Sequence, residues 1–273
     1  MIDFCNRSHY NEDNKRSEKV GETMLTEERH RVILDLLKEK DAIKIQDIVD
    51  ATNASESTIR RDLTQLEQEK FLKRVHGGAS KLQGKLKELS VSEKSSKSLH
   101  EKQVIGRYAA SLVEEGDCIY LDAGTSTLSL IDYLPEKDIV VVTNGLTHVE
   151  ALLQKGIKTY MIGGYVKPVT RAMIGSGALD SIRQYRFDKA FMGANGVHAQ
   201  YGFTTPDPEE AQVKRVAIEL SREAMFLADD SKFGEIAFSK IVDLDKAMII
   251  TNTLDEEHDK AMKNQTTIKV VTA

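Results

Sequence analysis

The sequence predicts two folded domains: an α+β winged helix-turn-helix domain, followed by an α/β domain with a mainly parallel sheet. Three observations support this. A length of 273 residues suits two domains better than one. Three short helical patterns lie close together early in the chain, and apolar strand-like runs alternate with helical stretches later on. The predicted parts are an extension (1–23), the helix-turn-helix domain (24–79), a linker (80–98) and the second domain (99–273).

Composition excludes several classes of protein. The longest apolar runs, such as 139–142, are far shorter than the roughly 20 residues of a membrane helix. The polar N-terminus lacks the apolar core of a signal peptide. Cys5 and Cys118 give no disulfide framework, and the seven histidines have no metal-ligand spacing. We therefore expect a cytoplasmic protein with no membrane partner, no metal and no cofactor.

Charge is distributed unevenly along the chain. The net charge is -5 overall, but it is -5 over residues 1–69, +7 over 70–107 and -7 over 108–273. A basic band between acidic stretches is typical of a DNA-contacting segment on an acidic body, and equally of a solvated linker.

Residues 1–23 have few apolar residues and no periodicity, which predicts a disordered extension. The sequence leaves open whether Met24 is the true start; N-terminal sequencing of the native protein distinguishes the two cases.

Three helices are predicted in the first domain. The first begins with Thr26 as N-cap and runs to about Lys40. A short segment, 43–45, precedes the second helix, which spans roughly Gln46 to Thr52. The third helix has Ser55 as N-cap and ends near Gln68. A tight turn between the last two helices indicates a helix-turn-helix.

The third predicted helix has one apolar face, formed by Ile59, Leu63 and Leu66. Its opposite face carries hydrogen-bond donors and no carboxylate. These residues are Ser57, Thr58, Arg60, Arg61, Thr64 and Gln65. Arginine can bind guanine or phosphate, so this pattern favours a major-groove face over a plain surface helix.

A wing is predicted after this helix. Apolar positions at 71, 72 and 75 alternate with Lys73 and Arg74, and a turn follows at His76 to Gly78. The basic residues could lie along DNA phosphates or simply protect an exposed edge strand.

The second domain alternates helices and strands, beginning with a helix at 101–115. Seven apolar runs are predicted as strands: 118–121, 139–143, 159–162, 189–192, 224–228, 247–251 and 268–271. Ligands bind such open sheets at the carboxyl ends of their strands.

Five of these strand ends carry small or polar residues, at 122–127, 143–145, 163–164, 193–196 and 229–232. The first, which leads into a helix at about Leu128, is either a phosphate-binding loop or a simple strand-to-helix turn. It lacks the Walker lysine and the spaced glycines of a dinucleotide-binding loop. Together the five ends favour a hydroxyl-rich, phosphorylated ligand, whereas the turn at 175–177 is interpreted as structural.

These residues together resemble the DeoR family of bacterial transcriptional regulators over residues 25–252. The most specific match is Ser57 to Leu63, followed by Leu66-Glu67 and by Arg74 to Ala79. The sensor pattern of the family is echoed at 122–125, 143–144, 163–164, 188–193, 210–214 and 229–233. Ser126 stands where many members have threonine, which keeps the hydroxyl.

The resemblance implies a sensor domain similar to sugar-phosphate isomerases and a repressor of a sugar-catabolic operon, relieved by a phosphorylated sugar. It also implies a homo-oligomer, a dimer or tetramer, that binds double-stranded operator DNA at repeated half-sites and is then associated with the nucleoid.

The resemblance also implies residue roles. Ser57, Thr58, Arg60 and Arg61 would enter the major groove, and Lys73, Arg74 and His76 would hold the DNA backbone. The implied effector-binding residues are Asp122, Gly124, Thr125, Ser126, Thr127, Asn144, Gly163, Gly164, Arg171, Asn195, Gly196, Glu210, Lys214 and Lys232. Two alternatives stay open: Glu210 and Lys214 could form an ordinary i,i+4 helix pair, and Arg171 could make an interdomain contact.

Two other functions remain as alternatives. An aldose-ketose phosphate isomerase with an appended DNA-binding head would need a carboxylate to move a proton. Residues 193–198 contain none, although Asp207, Glu209 and Glu210 follow; we therefore expect no enzyme activity. A constitutive DNA-binding protein whose second domain only oligomerises is disfavoured by the five polar strand ends.

Overall fold

A computed structural model describes residues 24–40, 42–69, 71–75, 77–81, 88–134 and 138–272. The chain divides into two compact units between Leu82 and Gln83. The extension predicted at 1–23, and His76 of the predicted wing, lie outside the described residues.

The first unit is a winged helix-turn-helix. Its elements are α1 (Thr26–Glu39), β1 (Ala42–Lys44), α2 (Ile45–Thr52), α3 (Glu56–Gln68), β2 (Leu72–Val75) and β3 (Gly78–Lys81). The three strands form an antiparallel sheet in the order β1-β3-β2, with β2 at its edge. Asn53 in the left-handed region turns the chain from α2 into α3. The predicted helices and hairpin are confirmed.

The predicted N-cap of the first helix is wrong by one residue. Leu25 is the extended N-cap, and Thr26 is already helical. The Leu25 amide donates to Glu28 Oε2 (3.3 Å), while the Thr26 hydroxyl accepts from Arg29 Nη2 (3.1 Å). An acidic side chain in the first turn therefore does the capping that threonine was expected to do.

The helices of this unit share one apolar core, to which α3 contributes Ile59, Leu63 and Leu66 as predicted. A buried ion pair crosses the same core. Asp62 of α3 accepts from Arg29 Nε (2.7 Å) and Nη2 (3.1 Å), which ties α3 to α1.

The second unit is an α/β domain. Its helices are α4 (Val91–Ser96), α5 (Leu99–Ser111), α6 (Thr125–Ile131), α7 (Leu146–Gln154), α8 (Ser176–Ile182), α9 (Pro208–Glu219) and α10 (Glu256–Met262). Its strands are β4 (Cys118–Leu121), β5 (Val140–Thr143), β6 (Lys158–Met161), β7 (Tyr165–Lys167), β8 (Ala172–Ile174), β9 (Phe187–Gly193), β10 (Gly196–His198), β11 (Gly202–Thr205), β12 (Ser221–Leu227), β13 (Ser239–Val242), β14 (Met248–Thr251) and β15 (Ile268–Val270).

All seven predicted strands pair in one parallel sheet, in the order β15-β14-β12-β9-β4-β5-β6. The strand order runs one way from β4 and the other way from β9. The switch point therefore lies between these two strands, where an open sheet forms a crevice at its carboxyl edge. Apolar clusters cover both faces of the sheet.

Four features differ from the sequence prediction or were missed by it. A hairpin, β7-β8, and a small antiparallel sheet, β10-β11-β13, have strands of only three or four residues, too short to show a periodic pattern. Helix α6 begins at Thr125, three residues earlier than expected. The segment predicted as linker contains the end of β3 and all of α4.

Within the described parts of the chain, none of the helices combines the length and the apolar character that a membrane span requires.

We expect Asp62→Ala to destabilise the first unit by about 3 kcal/mol, because it leaves Arg29 buried without its partner. Amide hydrogen exchange of α1 and α3 in the full chain measures this loss locally. Asp50→Ala, which removes an exposed aspartate from α2, is the matched control and should change the opening free energy by less than about 0.5 kcal/mol. Equal protection in the two variants would contradict a structural role for the pair.

Candidate functional site

The outward face of α3 is exposed, and hydrogen bonds join its first side chains to the N-cap residue. Arg60, Arg61 and Gln65 are exposed, as is Ser57. Ser55 Oγ accepts from the amide of Thr58 (3.2 Å) and lies within hydrogen-bond distance of the hydroxyls of Ser57 (2.9 Å) and Thr58 (2.8 Å). The N-cap therefore aligns the hydroxyl groups at the N-terminus of α3. In recognition helices, the N-terminal residues contact base edges in the major groove.

One carboxylate beside this face was missed from sequence. Glu56 Oε1 accepts from Arg60 Nη2 (2.6 Å) and Nε (3.2 Å). Both side chains are more than half exposed, so the ion pair is weak, and the predicted DNA contact of Arg60 stays a prediction. The i,i+4 spacing of Glu56 and Arg60 is the signal in the sequence that indicates this pair.

The wing is fixed to α3 through Arg74. Its amide donates to Glu67 Oε1 (2.7 Å), and its Nη1 donates to Thr64 Oγ1 (3.0 Å). Lys73 lies on the same strand, β2, which is an edge strand. This position is compatible both with DNA contact and with edge protection, so the backbone-binding roles of Lys73 and Arg74 stay predictions.

In the second unit, polar side chains converge at the switch point. Asp122 follows β4 and is 3% exposed; its Oδ2 accepts from the ammonium group of Lys214 and from the amide of Gly193 (3.2 Å) at the end of β9. Lys214 belongs to α9 and is also buried. A single carboxylate thus joins the ends of two adjacent strands to the helix packed over them.

Glu210 lies one turn before Lys214 on α9, yet the i,i+4 pair allowed by the sequence is not formed. Glu210 Oε1 instead accepts from Thr170 Oγ1 (2.6 Å) and from Lys167 Nζ (3.2 Å). Lys214 is directed to Asp122. Neither Thr170 nor Lys167 was expected from the sequence, because both belong to the unpredicted β7-β8 hairpin region.

Lys167 is surrounded by carboxylates. Besides Glu210 it contacts Asp207 Oδ2 (2.7 Å) and Glu88. Burial opposes the charge on Lys167, but Glu210, Asp207 and Glu88 outweigh that effect and raise its pKa. The three carboxylates lie close enough together to be considered as a metal site, but the lysine ammonium already serves as their common cation.

Two amide side chains hold the neighbouring loops. Asn144 Oδ1 accepts from the amide of Ala123 (2.9 Å), and Asn144 Nδ2 donates to the carbonyl of Met173 (3.4 Å). Asn195 Oδ1 accepts from Thr205 Oγ1 (3.2 Å). Their predicted contacts with an effector stay predictions, while their structural contacts fix the walls of the crevice.

The loop after β4 leads directly into α6, with Gly124 as N-cap and Thr125 as the first helical residue. The first-turn amides of a helix have no intrahelical partner, so they can bind an anion. Ser126 is buried and Thr125 half-buried. Thr127 is fully buried: its hydroxyl donates to the carbonyl of Asp122 (2.5 Å) and accepts from the amide of Gly124 (3.1 Å). Its contacts give Thr127 a loop-holding role.

His148 was missed from sequence. It lies on α7, is 1% exposed, and its Nε2 is 3.0 Å from Thr127 Oγ1. Burial lowers the pKa of His148 to about 4. A single histidine in an amphipathic helix gives no signal that it will lie beneath a loop that follows another strand.

Tyr120 lies two residues before Asp122 on the same face of β4, fully buried. Its hydroxyl makes no hydrogen bond with the residues that the structure describes. Burial, and then the charges of Asp122 and Glu210, raise the pKa of Tyr120.

The remaining predicted residues are spread along the edge of the sheet. Gly163 and Gly164 follow β6, whereas Lys232 follows β12, four strand spacings away, or about 19 Å at ~4.8 Å each. The structure therefore does not bring these two ends to one small ligand. Arg171 is exposed in the turn between β7 and β8, and Lys232 Nζ lies 3.8 Å from Asp229 Oδ2.

Two of the predicted glycines have steric reasons to be glycine. A Cβ on Gly196 would lie 2.3 Å from the carbonyl oxygen of Glu235. Gly164 has a φ of +131°, and its Cβ would lie 2.6 Å from the carbonyl oxygen of Ile174.

Comparisons with known proteins match both units. A model described as the DeoR-like helix-turn-helix domain matches residues 29–84, and one described as the DeoR C terminal sensor domain matches 97–253. The uncharacterized HTH-type transcriptional regulator FruR of Bacillus subtilis is 55% identical over 249 residues, 91% of this chain and 99% of that protein. The lactose phosphotransferase system repressor of Staphylococcus aureus is 32% identical over 248 residues, 89% and 98% of the two chains.

Among solved structures, ribose 5-phosphate isomerase A from Methanocaldococcus jannaschii is similar to part of this chain. The TM-score is 0.37 and the identity 18%, over 48% of this chain and 53% of that chain.

The fold and the two family models define a class of protein, the helix-turn-helix transcriptional regulators that carry a C-terminal sensor domain. Within that class, the chain belongs to the DeoR family. The resemblance that the sequence motifs indicated is confirmed.

We expect the buried His148 to make stability fall in acid. The unfolded state takes up a proton near pH 6.5 but the folded state only near pH 4, so stability decreases as the pH falls between these values. Between pH 7.5 and pH 4.5 this amounts to about 2.5 kcal/mol. Urea unfolding at the two pH values should show a smaller loss for His148→Gln than for the wild type. His100→Gln, at an exposed histidine, is the control and should behave as the wild type; an equal loss in all three proteins would contradict the buried neutral state.

Proposed function

We propose that the protein represses a sugar-catabolic operon by binding its operator, and that a phosphorylated sugar relieves the repression by binding at the switch point of the parallel sheet. The observation that carries this proposal is the meeting of the Asp122 carboxylate, the Lys214 ammonium group and the Gly193 amide at the switch point between β4 and β9, with Glu210 one turn before Lys214 on α9.

The exposed face of α3 supports operator binding. Arg60 and Arg61 offer guanidinium groups for guanine or phosphate, and Ser57 and Gln65 offer adaptable donors and acceptors. The Arg74 contact with Thr64 holds the wing beside this face, where a basic side chain can reach a DNA phosphate.

The chemistry of the crevice supports a phosphorylated polyol. Carboxylates such as those of Asp122 and Glu210 can accept hydrogen bonds from the hydroxyl groups of a ligand. Tyr120, two residues before Asp122, offers a buried hydroxyl that makes no hydrogen bond with the described residues. The first-turn amides of α6 suit a phosphate group. The name of the staphylococcal relative, a repressor of a lactose phosphotransferase system, agrees with such a ligand.

We propose that the protein acts by binding DNA and effector and not by catalysing a reaction. Residues 193–198, which follow β9, carry no carboxylate to move a proton, and Glu210 is already engaged by Thr170 and Lys167. We further propose a cytoplasmic dimer or tetramer that presents two or more α3 helices to repeated half-sites, with no cofactor or metal.

Relief of repression requires that the ligand bind one state of the protein better than the other. A hundredfold loss of operator affinity needs about 2.7 kcal/mol of coupling. Several hydrogen bonds between a phosphate and amides, together with a charge-assisted bond, can supply that difference if they form in one state only.

We expect Arg60→Ala to abolish specific operator binding while leaving the fold intact, because the lost arginine contact carries base or phosphate recognition. Fluorescence anisotropy on labelled duplex from upstream of the protein's own operon, compared with a nonspecific duplex, measures this. Arg31→Ala, at an exposed arginine of α1, is the matched control and should keep the preference. Full operator affinity in Arg60→Ala would show that the α3 face does not read DNA.

We expect one compound from a panel of sugar phosphates to lower the operator affinity of the wild type. In Asp122→Asn, the factor by which that compound lowers operator affinity should be at least about tenfold smaller. The matched control is Asp117→Asn. Asp117 is also buried and paired with a lysine, Lys189 (2.7 Å). It directly precedes β4 and so lies at the amino ends of the strands, away from the carboxyl ends where the ligand is proposed to bind.

Loss of the response in both variants would indicate general destabilisation and not a ligand contact at Asp122. Specific DNA binding that no compound affects would overturn the effector part of the proposal.

A further inference from the structure

Residues 88–98 form a strap, a name we use for the segment that begins at Glu88, contains α4 and ends at Ser98 in the left-handed region. Along the chain, the strap lies between the helix-turn-helix unit and α5 of the sensor domain. Any change in how the strap is held is therefore a change in the connection between the two units.

The strap is fastened at its start to the β7-β8 hairpin. The Glu88 carboxylate pairs with Lys167 of β7, and the Val91 amide donates to the carbonyl of Val169 (3.3 Å). Glu88 is also 3.2 Å from Lys94, but Lys94 belongs to the strap itself and does not anchor it to the domain.

The strap is fastened at its end to α5. The buried ammonium group of Lys102 donates to the carbonyl of Lys94 in the last turn of α4 and to that of Lys97 (2.6 Å), the C-cap residue of α4. These contacts satisfy the carbonyl groups that a helix leaves without partners at its C-terminus. The two Lys102 contacts at this end of the strap do not involve Glu210.

The fastening at Glu88 is shared with α9, because Lys167 also contacts Asp207 and Glu210. The two α9 carboxylates have further bonds: Asp207 Oδ1 accepts from the amide of Glu209 (2.8 Å) as N-cap, and Glu210 accepts from Thr170. Glu88 has no comparable second anchor outside the strap among the described contacts. Of the three carboxylates around Lys167, it is the one that a competing group would displace.

We propose that Lys167 couples the effector crevice to the strap: a phosphorylated ligand beside Glu210 competes for Lys167, releases Glu88, and loosens the segment that leads to the DNA-binding unit. This inference rests on the proposed function. The fastened strap is the operator-competent state. An anion attracted to Lys167 would add to an excess of carboxylates, so displacement of Glu88 also relieves like-charge repulsion.

The test uses the full chain without ligand first. Glu88→Gln removes the charge of the strap carboxylate and leaves the α9 contacts intact; Lys167→Met removes the shared cation. We expect both variants to speed amide exchange in residues 90–98 by about tenfold and to lower operator affinity by about tenfold, although neither residue belongs to the helix-turn-helix unit. The double variant should be no worse than the stronger single variant, because both changes break one coupling.

Lys155→Met is the matched control. Lys155 also joins two elements, α7 and the end of α6, by donating to the carbonyls of Ile131 (2.9 Å) and Asp132 (2.7 Å), but it has no contact with the strap. It should leave strap exchange and operator affinity unchanged. Faster strap exchange in Glu88→Gln with unchanged operator affinity would overturn the proposal, and this variant suffices if Lys167→Met does not fold.

The sugar-phosphate panel then separates this inference from the function on which it rests. We expect the wild type to respond and Glu88→Gln to respond at least about fivefold less. A full response in both proteins would overturn the role of Lys167 and leave the proposed function intact. If the wild type responds to no compound, the effector and the coupling through Lys167 both fail, while the ligand-free affinities still decide whether the strap controls operator binding.

Discussion

The Asp122–Lys214 ion pair is the interaction on which the arrangement of the sensor domain depends. Asp122 follows β4, its Oδ2 also binds the amide at the end of β9, and Lys214 holds α9 over both strands. Burying two charges costs desolvation energy, and apolar residues could fill the same space without that cost. The ion pair therefore serves to hold polar groups in fixed positions at the switch point and adds little to the stability of the domain.

A second set of charged contacts begins one helical turn from this pair. Lys214 and Glu210 lie one turn apart on α9, Glu210 contacts Lys167 of the β7-β8 hairpin, and Lys167 contacts Glu88 at the start of the strap. Position along a series of contacts is not itself coupling; coupling requires an element with two arrangements that ligand and DNA favour differently. The first unit has its own core, closed by Arg29 and Asp62, so α3 keeps its shape independently of these contacts.

The sequence was most informative where the physics is local. The central strands of the parallel sheet are buried and read as continuous apolar runs, which predicted them. The edge strands β6 and β15 are largely exposed but were predicted from apolar runs too, and small or polar residues were predicted at five strand ends. The N-cap at Ser55 and the apolar arc of α3 were predicted for the same reason. Partners distant in sequence were not. Glu88 and Lys167, for example, are 79 residues apart. Glu210 binds Thr170 and not Lys214 because of where the β7-β8 hairpin packs against α9. His148 gave no signal because its burial depends on a loop after another strand.

The most direct test of the account is thermodynamic reciprocity. If the effector crevice and the α3 face report on one equilibrium, an effector that lowers operator affinity by some factor must itself bind more weakly to the operator-bound protein by the same factor. Calorimetric titration of the active sugar phosphate into the protein, with and without saturating operator duplex, measures this. The account predicts equal factors from the two directions. An effector affinity that operator DNA does not change would contradict it.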